Sequence, residues 1–584
     1  MRWILKINYL LSIVFLSVSL PIAGFSAYWQ PVQESPQRFH PVESNYGMVA
    51  TQESLATTVG VNILNKGGNA VDAAVAVGFA LAVTMPKAGN LGGGGFMLIW
   101  LNDQKKAIAI NYREKAPMAA TKDMFLDKNG NVDENLISGT YKASGVPGTV
   151  KGLILAQETY GKLPLKEVIQ PAIDLAENGF EVSYAMAESL SDAKTWLFNH
   201  SETRKIFLNK ANQPYQAGQW LVQKQLAETL KRIRDTKGED FYTGKTAKIL
   251  VKDMKENGGL ITLADLKAYE AEQLKPVTGV YQGYHIYSMP PPSSGGVTLI
   301  ELLNILAGFD LGKFGLNSAE TIHLMTEAES YAYNDRNSDL GDPDFVHNPV
   351  EHLTSRAYAD TIRKQINRDK HVPSSKLSDV KVINNESNQT TQFSVVDHDG
   401  NMVSNTYTLN YSYGSGIIAK GLGFFLNNEM DDFTAKVGVA NSFGLVQGKA
   451  NSIEPGKRPL SSMTPTIVIT KDNQPFLATG SPGGSRIITT TLQVILNIIT
   501  HHLNLQSAVN APRVHSQLWP DQIQIEQGIS PDTIKLLEKM GHEVILAPAM
   551  GSANSVLYQE SMFYGARDPR REGALAKGDN NFNH

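Results

Sequence analysis

Two adjacent threonines, Thr390 and Thr391, stand where a polar loop gives way to a β-like run. A threonine hydroxyl is a weak nucleophile that needs a base, and a chain that begins with threonine supplies one in its own α-amine. That amine has an unperturbed pKa of about 7.7 to 8.0, so a useful fraction is basic near pH 7. A cut before Thr390 would therefore unite nucleophile and base in one residue, although a Thr-Thr pair alone more often reflects β-propensity.

The sequence around these threonines predicts the strands that would hold them. Residues 393–397 and 402–407 are β-rich runs. The turn between them, at 398–401, contains a glycine, which favours a hairpin. We expect this hairpin to place Thr390 at an edge of a sheet.

Earlier segments predict helices and one strand that ends at a charged residue. Residues 54–64 form a helix pattern, and Asn69 is a helix cap before the very apolar run at 70–83. The alternation at 107–112 is typical of a strand, which would deliver Arg113 at its end.

The rest of the chain mixes both element types. Predicted elements are amphipathic helices over much of 149–287, strands at 466–470 and 476–479, a helix at about 489–501, and a late helix from Ser530-Pro531 that ends at Gly541. Strands and helices that interleave without strict βαβ spacing predict an α+β layered sandwich.

Composition limits the classes of function. The chain has 584 residues, 42% hydrophobic and 19% charged, and no Pro/Ser/Gly linker divides it, so we expect one large compact unit. A net charge of −4 without a Lys/Arg cluster argues against nucleic-acid binding. A small-molecule substrate is the better expectation.

The first residues have the pattern of an export signal. Residues 1–27 carry two basic residues, an apolar core at 9–20, a proline and small residues, which predict a cleavable signal peptide and a periplasmic or secreted protein. A single membrane anchor is disfavoured because the apolar core is shorter than the roughly 20 residues that a bilayer needs. The absence of cysteine excludes disulfides and thiol catalysis.

Several motifs, in order along the chain, resemble one enzyme family over residues 48–570. They are NLGGGG at 90–95, YRE at 112–114, MPPPSSGG at 289–296, QTT at 389–391, NNEMDDF at 427–433, PLSSM at 459–463 and GSPGGSR at 480–486. In these blocks the chain resembles the bacterial γ-glutamyltransferases, also called γ-glutamyltranspeptidases.

The resemblance implies the four-layer αββα fold of N-terminal-nucleophile hydrolases. It also implies that the precursor cuts its own chain between Gln389 and Thr390, leaving a large subunit (28–389) and a small catalytic subunit (390–584) that form one compact unit. The residues alone do not choose between Thr390 and Thr391, whereas the family pattern places the nucleophile at Thr390. Thr408 matches a threonine that orients it.

A γ-glutamyl donor carries an α-carboxylate and an α-ammonium beside the amide that is attacked, and a selective site must bind both. The resemblance assigns substrate binding to Arg113, Asn410, Glu429, Asp432, Ser461 and Ser462. Arg113 and the two serines would hold the carboxylate, while Glu429 and Asp432 would accept from the ammonium. Gly483 and Gly484 match the family's oxyanion hole, where backbone N–H groups meet developing negative charge. Seen alone, the acidic turn and the glycines would be ordinary surface features.

The implied reaction moves the γ-glutamyl group of glutathione or a related amide to Thr390, and then to water or to an amino acid or peptide acceptor. It needs no cofactor or metal. Residues 436–448 match a loop that covers the pocket in bacterial members, and Phe443 stands where they often have tyrosine. We expect a looser lid and more hydrolysis as a result.

Two other classes of protein are compatible with parts of this pattern. A related acylase that removes glutaryl side chains from β-lactams would keep the Thr390 chemistry without binding an α-ammonium. A periplasmic solute-binding protein would have the same size and signal peptide, and would remain one chain.

Other motifs give no competing site. Gly238 and Gly244 are separated by five residues where a Walker loop needs four, and the glycines at 92–95 lack its Lys-Ser/Thr ending and predict close helix packing instead. The thirteen histidines contain no H-E-x-x-H, and no G-x-S-x-G elbow occurs.

Overall fold

The structure, a computed structural model, describes residues 39–378 and 390–579. The predicted signal peptide and Gln389 lie outside the described residues. Within these two ranges, no helix combines the length and the apolar character needed to cross a bilayer.

Most strands of the described residues belong to two seven-stranded sheets. In chain order the strands are β1 Val42–Ser44, β2 Met48–Thr51, β3 Gly94–Leu101, β4 Lys106–Tyr112, β5 Phe180–Glu181, β6 Trp220–Leu221, β7 Glu272–Leu274, β8 Val277–Tyr281, β9 Tyr284–Ser288, β10 Thr391–Val396, β11 Met402–Thr408, β12 Thr466–Ile469, β13 Pro475–Thr479, β14 Val514–His515, β15 Ile523–Ile525, β16 Val544–Leu546, β17 Ser555–Gln559, β18 Met562–Ala566 and β19 Leu575–Gly578. The first sheet has the order β19-β2-β10-β11-β3-β4-β7, and the second has the order β1-β18-β17-β13-β12-β9-β8. Both combine strands from before and after Thr390.

Helices cover the outer faces of these sheets. They are α1 Ser54–Asn65, α2 Ala70–Thr84, α3 Glu134–Ser138, α4 Thr149–Tyr160, α5 Leu165–Asn178, α6 Tyr184–Asp192, α7 Lys194–Leu197, α8 Ser201–Phe207, α9 Lys224–Thr236, α10 Glu239–Tyr242, α11 Lys245–Glu256, α12 Leu263–Ala268, α13 Gly295–Leu306, α14 Leu311–Phe314, α15 Ala319–Asp339, α16 Val350–Leu353, α17 Arg356–Arg363, α18 Arg486–Ile499, α19 Leu505–Asn510 and α20 Pro531–Lys539. Short 3₁₀ turns occur at Tyr141–Ala143, Ser374–Lys376, Glu429–Asp432 and Lys449–Asn451.

The apolar pattern of the strands explains the four layers. In β3, Phe96 and Trp100 point into the core between the two sheets. Met97 and Ile99 point to the opposite face, into the core beneath α1, α2 and α4. Because successive side chains alternate, a strand that is apolar at every position must be covered on both faces. A third core lies between the second sheet and α13, α15 and α18, which completes the predicted αββα sandwich.

The helix that packs on the strand after Thr390 is buried along its whole length. Every residue of α2 is buried, and Asn69 begins it with a capping box closed by Asp72. Its Ala-rich sequence keeps the helix thin, so it packs closely on β10 and β11. The cap predicted at Asn69 is confirmed.

One prediction about the strand after Thr390 is wrong. We expected Thr390 to begin an edge of a sheet, yet β10 pairs with β11 on one side and with β2 on the other. All six residues of β10 are buried. The strand is central because β2, more than 300 residues earlier in the chain, covers the side that the local hairpin leaves open.

The other predicted elements agree with the structure to within a few residues. The strand before Arg113 is β4, the predicted hairpin is β10 and β11, and the late helix α20 has its cap at Ser530. The helix expected from about residue 489 begins three residues earlier, at Arg486. This change brings its N-terminus next to Gly483 and Gly484.

Candidate active site

Thr390 lies immediately before β10 in a backbone conformation that is unusual for its residue type. Its φ is 116°, in a region that side chains other than glycine rarely adopt, and its exposed fraction is 8%. Its Oγ1 donates to Thr408 Oγ1 at 3.3 Å, and Thr408 Oγ1 also accepts from the backbone N–H of Asn410 at 2.9 Å. The Thr408 hydroxyl thus gives the Thr390 hydroxyl a defined direction.

The glycine run at 92–95 supports Thr408 from behind. A Cβ at Gly93 would lie 2.0 Å from the backbone oxygen of Thr408, so only glycine fits there. Asn90 Nδ2 donates to the same oxygen at 2.9 Å, and its Oδ1 accepts from Gly93 N. We expected helix packing from these glycines. Gly93 O does accept from the start of α4, but the tightest contact is with the end of β11.

Arg113 stands at the end of β4, as predicted, and is fully buried. Its guanidinium contacts Glu429 through Nη1 and Asp432 through Nη2. Glu114 Oε2 lies 3.6 Å from Nη1, and Arg113 Nε donates to Pro459 O at 3.2 Å. We name Arg113, Glu114, Glu429 and Asp432 the pocket cluster, in which three carboxylates surround one guanidinium.

The pocket cluster is electrostatically unbalanced. Neither oxygen of Glu114 has a hydrogen-bond partner, and Oε2 of Glu429 has none either. Burial raises the pKa of Glu114 to about 7, against the opposing effect of Arg113. Burial likewise raises the pKa of Glu429 well above its usual value. A buried carboxylate without hydrogen-bond donors favours its neutral, protonated form. The pocket cluster therefore disfavours the state in which all three carboxylates are ionised.

The two predicted serines lie beside a second arginine that the sequence analysis missed. Ser462 Oγ accepts from Arg336 Nη2 at 2.9 Å, and Ser461 Oγ accepts from the N–H of Met463 at 3.1 Å. Arg336 comes from α15, is buried, and has its pKa lowered to about 10 by burial. From the sequence alone, an arginine in a long helix is expected to be exposed to solvent. The direction of its side chain towards the site depends on how the helix packs in the fold.

Gly483 and Gly484 form the turn between β13 and α18. Their φ values are 131° and 59°, which favour glycine. The N-terminus of α18 follows directly, without a side-chain cap, and the helix dipole there favours negative charge nearby. This environment suits an oxyanion.

The segment expected to cover the pocket lies over it. Phe443 packs against Gly484, since a Cβ there would lie 2.3 Å from the phenyl ring. Tyr411 meets the Phe443 ring edge-on at 6.2 Å between centroids. The Tyr411 hydroxyl donates to Asp431 Oδ2 at 2.8 Å and also pairs with the hydroxyl of Ser442. The lid therefore has a tyrosine hydrogen bond, supplied from Tyr411 beneath it and not from residue 443.

These features meet at one cavity with about 350 Å³ of empty space, part of it open to solvent. Its lining includes the predicted residues Arg113, Thr390, Thr408, Asn410, Glu429, Asp432, Ser461, Ser462 and Gly484, together with Arg336, Asn441, Phe443, Leu445 and Gln447. Gly483 adjoins the cavity through Gly484. The sequence thus predicted most of the polar lining.

A model of the family described as gamma-glutamyltranspeptidase matches residues 56–578. The chain belongs to this family. A glutathione hydrolase proenzyme of Escherichia coli (strain K12) is 52% identical over 545 residues, which cover 92% of this chain and 93% of that relative. One from Pseudomonas sp. (strain A14) is 48% identical and covers 92% and 95%.

Solved structures agree with this membership of the gamma-glutamyltranspeptidase family. A cephalosporin acylase from Bacillus halodurans has a TM-score of 0.79 at 27% identity, covering 94% of this chain and 99% of that one. The Helicobacter pylori gamma-glutamyltranspeptidase has a TM-score of 0.55 at 47% identity, covering 56% and 93%. These are N-terminal-nucleophile hydrolases, so the fold class is confirmed and the solute-binding alternative is wrong.

One group of side chains in this gamma-glutamyltranspeptidase has the composition of a metal site. The ligand atoms of His323, Glu327 and His542 lie within 4.8 Å of one another. Their polar atoms already have hydrogen-bond partners within the protein. His323 Nδ1 and His542 Nε2 share a hydrogen bond of 2.7 Å, and Glu327 Oε1 pairs with His371. None of them lines a cavity that contains Thr390. The group fits a structural network better than an ion.

Proposed function

We propose that the protein is a self-processing γ-glutamyltransferase and glutathione hydrolase, with Thr390 as its nucleophile. One observation carries the proposal: Thr390, oriented by Thr408 at 3.3 Å, shares a cavity with the pocket cluster. A hydroxyl nucleophile and charged groups suited to the α-carboxylate and α-ammonium of a γ-glutamyl donor thus line the same cavity. We further propose that residues 1–27 direct the protein to the periplasm or outside the cell.

Self-processing uses the Thr390 hydroxyl against its own chain. The oxygen attacks the carbonyl carbon of Gln389, the peptide C–N bond breaks, and the acyl group moves to oxygen as an ester. Water then hydrolyses the ester, leaving a carboxylate on Gln389 and a free α-amine on Thr390. The positive φ of Thr390 is a costly conformation for a β-branched residue, and cleavage of the preceding bond would relieve it.

The mature reaction repeats this chemistry on a substrate. The α-amine of Thr390 accepts the hydroxyl proton while the oxygen attacks the γ-carbonyl of the donor. Backbone N–H groups at Gly483 and Gly484, at the start of α18, stabilise the oxyanion. The amine then gives its proton to the leaving nitrogen, and water or an acceptor amine breaks the γ-glutamyl ester in the same way.

Substrate binding requires an exchange of partners at Arg113. Its guanidinium pairs with Glu429 and Asp432. A donor would bring one carboxylate and one ammonium together. The substrate carboxylate would take a bidentate place on Arg113 with help from Ser461 and Ser462, while the displaced acids accept from the ammonium. The exchange conserves charge, and the ammonium satisfies oxygens that now lack donors.

The first experiment compares intact masses of denatured wild-type protein, Thr390→Ala and the matched control Thr391→Ala. We expect wild type and Thr391→Ala to give two fragments that separate at Thr390, and Thr390→Ala to stay as one chain. One intact mass for wild type, or cleavage of Thr390→Ala at the same bond, would refute the proposal.

A second experiment separates the γ-glutamyl reading from the glutaryl acylase alternative. γ-Glutamyl-p-nitroanilide and glutaryl-p-nitroanilide differ only in the α-ammonium. We expect kcat/KM for the γ-glutamyl compound to be about 10- to 150-fold higher, since a buried charge-assisted contact contributes about 1.5–3 kcal/mol. Equal rates, or a preference for glutaryl, would favour the acylase.

A further inference from the structure

Thr390 lines a second cavity, which is larger than the first. This cavity holds about 2020 Å³ of empty space, part of it open to solvent, against about 350 Å³ for the first. Pro482 and the loop from Tyr411 to Tyr413 share its lining with Thr390. Tyr411 meets Phe443 of the first cavity edge-on, so the nucleophile stands at the boundary between two compartments.

The position of the nucleophile divides the substrate between these compartments. The bond that breaks must lie at the Thr390 hydroxyl. If the γ-glutamyl group occupies the small cavity, the amine half of the donor extends to the other side. The acceptor amine attacks the same carbon in the second step, so it approaches from the side that the leaving amine vacates.

Cationic side chains line the second cavity together with Thr390. Lys87 and Arg571 both line it, together with Glu188 and Asp192 from α6. The backbone oxygen of Lys87 accepts from the N–H of Tyr413 at 2.9 Å, which fixes the main chain of Lys87 to the loop beside Thr390. Burial, aided by Arg571, lowers the pKa of Lys87 to about 8, and Glu188 and Asp192 oppose this change.

We propose that this cavity is the site for the leaving peptide and the acceptor, and that Lys87, with Arg571, binds the free carboxylate of an amino acid or short peptide. The inference rests on the proposed function, because it concerns the second half of the same reaction. A partly desolvated ammonium binds a carboxylate more strongly than an exposed one. Glu188 and Asp192 help to keep Lys87 charged and leave the site overall zwitterionic, like its ligand.

The test uses two acceptors that differ only at this carboxylate, glycylglycine and glycylglycinamide, with γ-glutamyl-p-nitroanilide as the donor. Transfer products are quantified, and the ratio of kcat/KM for the two acceptors is the readout. A general loss of activity cancels in this ratio. We expect wild type to prefer glycylglycine by about tenfold, Lys87→Met to bring the ratio close to one, and Lys87→Arg to restore most of it.

Lys471→Met, at an exposed turn between β12 and β13, is the matched control and should keep the wild-type ratio. A wild-type ratio near one, or a Lys87→Met ratio equal to that of wild type, would overturn the inference while leaving the proposed function in place. Failure of the wild-type enzyme to release p-nitroaniline would instead refute the proposed function itself.

Discussion

Two buried groups of arginines and carboxylates in this molecule differ in how completely their carboxylates are hydrogen-bonded. The C-terminal cluster consists of Arg513, Glu526, Asp568 and Arg570. Every one of its carboxylate oxygens accepts a hydrogen bond: Glu526 accepts from Arg570 at 2.6 and 2.7 Å, and Asp568 from Ala553 N at 2.7 Å. Burial alone would raise the pKa of Asp568, but Arg513 and Arg570 hold it below its usual value.

In the pocket cluster, by contrast, not every carboxylate oxygen accepts a hydrogen bond. It has one arginine for three carboxylates, its Glu114 oxygens lack donors, and the pKa of Glu114 is raised to about 7. Buried ion pairs stabilise a fold only when their hydrogen bonds are complete. The difference teaches that the hydrogen bonds of the C-terminal cluster are complete within the fold, whereas those of the pocket cluster are not, which supports the proposal that it binds a ligand.

Removal of one charge from the C-terminal cluster should have the largest effect. Asp568→Asn leaves two buried guanidinium groups short of a partner, so we expect the free energy of unfolding to fall by about 3–5 kcal/mol. Urea unfolding followed by circular dichroism measures this change. Asp532→Asn, on the exposed surface of α20, is the control and should change it by less than about 0.5 kcal/mol. A stable Asp568→Asn protein would break the contrast between the clusters.

The conservative change at the pocket cluster should affect catalysis instead. Arg113→Lys keeps the charge but loses the bidentate fork, so kcat/KM for γ-glutamyl-p-nitroanilide should fall about 100-fold, or about 2.7 kcal/mol. The free energy of unfolding should change by less than about 1 kcal/mol, because the wild-type cluster is already under-satisfied. Arg513→Lys is the matched variant for the other cluster. Arg513→Lys should lower the free energy of unfolding more than it lowers kcat/KM. Equal losses of stability in Arg113→Lys and Arg513→Lys would contradict the contrast between the clusters.

The two clusters should also respond to pH in opposite directions. The folded Glu114 carboxyl keeps its proton up to about pH 7, whereas an unfolded one releases it near its ordinary value of 4.5. Between these values the unfolded state binds fewer protons, so this residue makes stability fall as pH rises. Asp568 has a depressed pKa, so its contribution is lost as pH falls below about 3.8.

Urea unfolding of Glu114→Gln across pH 4.5 to 7 tests the first half of this prediction. The variant should lack this dependence, so between pH 4.5 and 7 its free energy of unfolding should fall by about 2–3 kcal/mol less than that of wild type. Its profile below pH 4 should match that of wild type, since the C-terminal cluster is intact. An unchanged slope between pH 4.5 and 7 would show that Glu114 is ionised in the folded protein.

The lid should give the smallest effects. Phe443→Tyr adds a hydroxyl that could bond across the cleft, and Tyr411→Phe removes the existing bonds to Asp431 and Ser442. We expect the ratio of transfer to hydrolysis to rise about twofold in the first variant and to fall about threefold in the second, because a mobile lid admits water. Product analysis at one acceptor concentration measures both. An unchanged ratio in Phe443→Tyr would refute the idea that residue 443 loosens the lid.

The sequence was most informative where local chemistry and the fold agree. Arg113 follows a strand with a clear alternating pattern and Thr390 precedes a β-rich run, so the position of each at the end of a strand could be predicted. Arg336 could not, because its role depends on how α15 lies against the PLSSM segment. The central position of β10 was missed for the same reason: its second neighbour, β2, is distant in the chain, and local patterns carry no information about such pairing.

The distribution of strands has a consequence for the two proposed fragments. In the first sheet, β10, from after Thr390, hydrogen-bonds to β2, from before it, and β11 likewise pairs with β3. Separation of the fragments would tear the middle of a sheet and open the core beneath it. If the precursor is cut before Thr390, the small fragment would therefore stay with the large fragment that came from the same polypeptide chain.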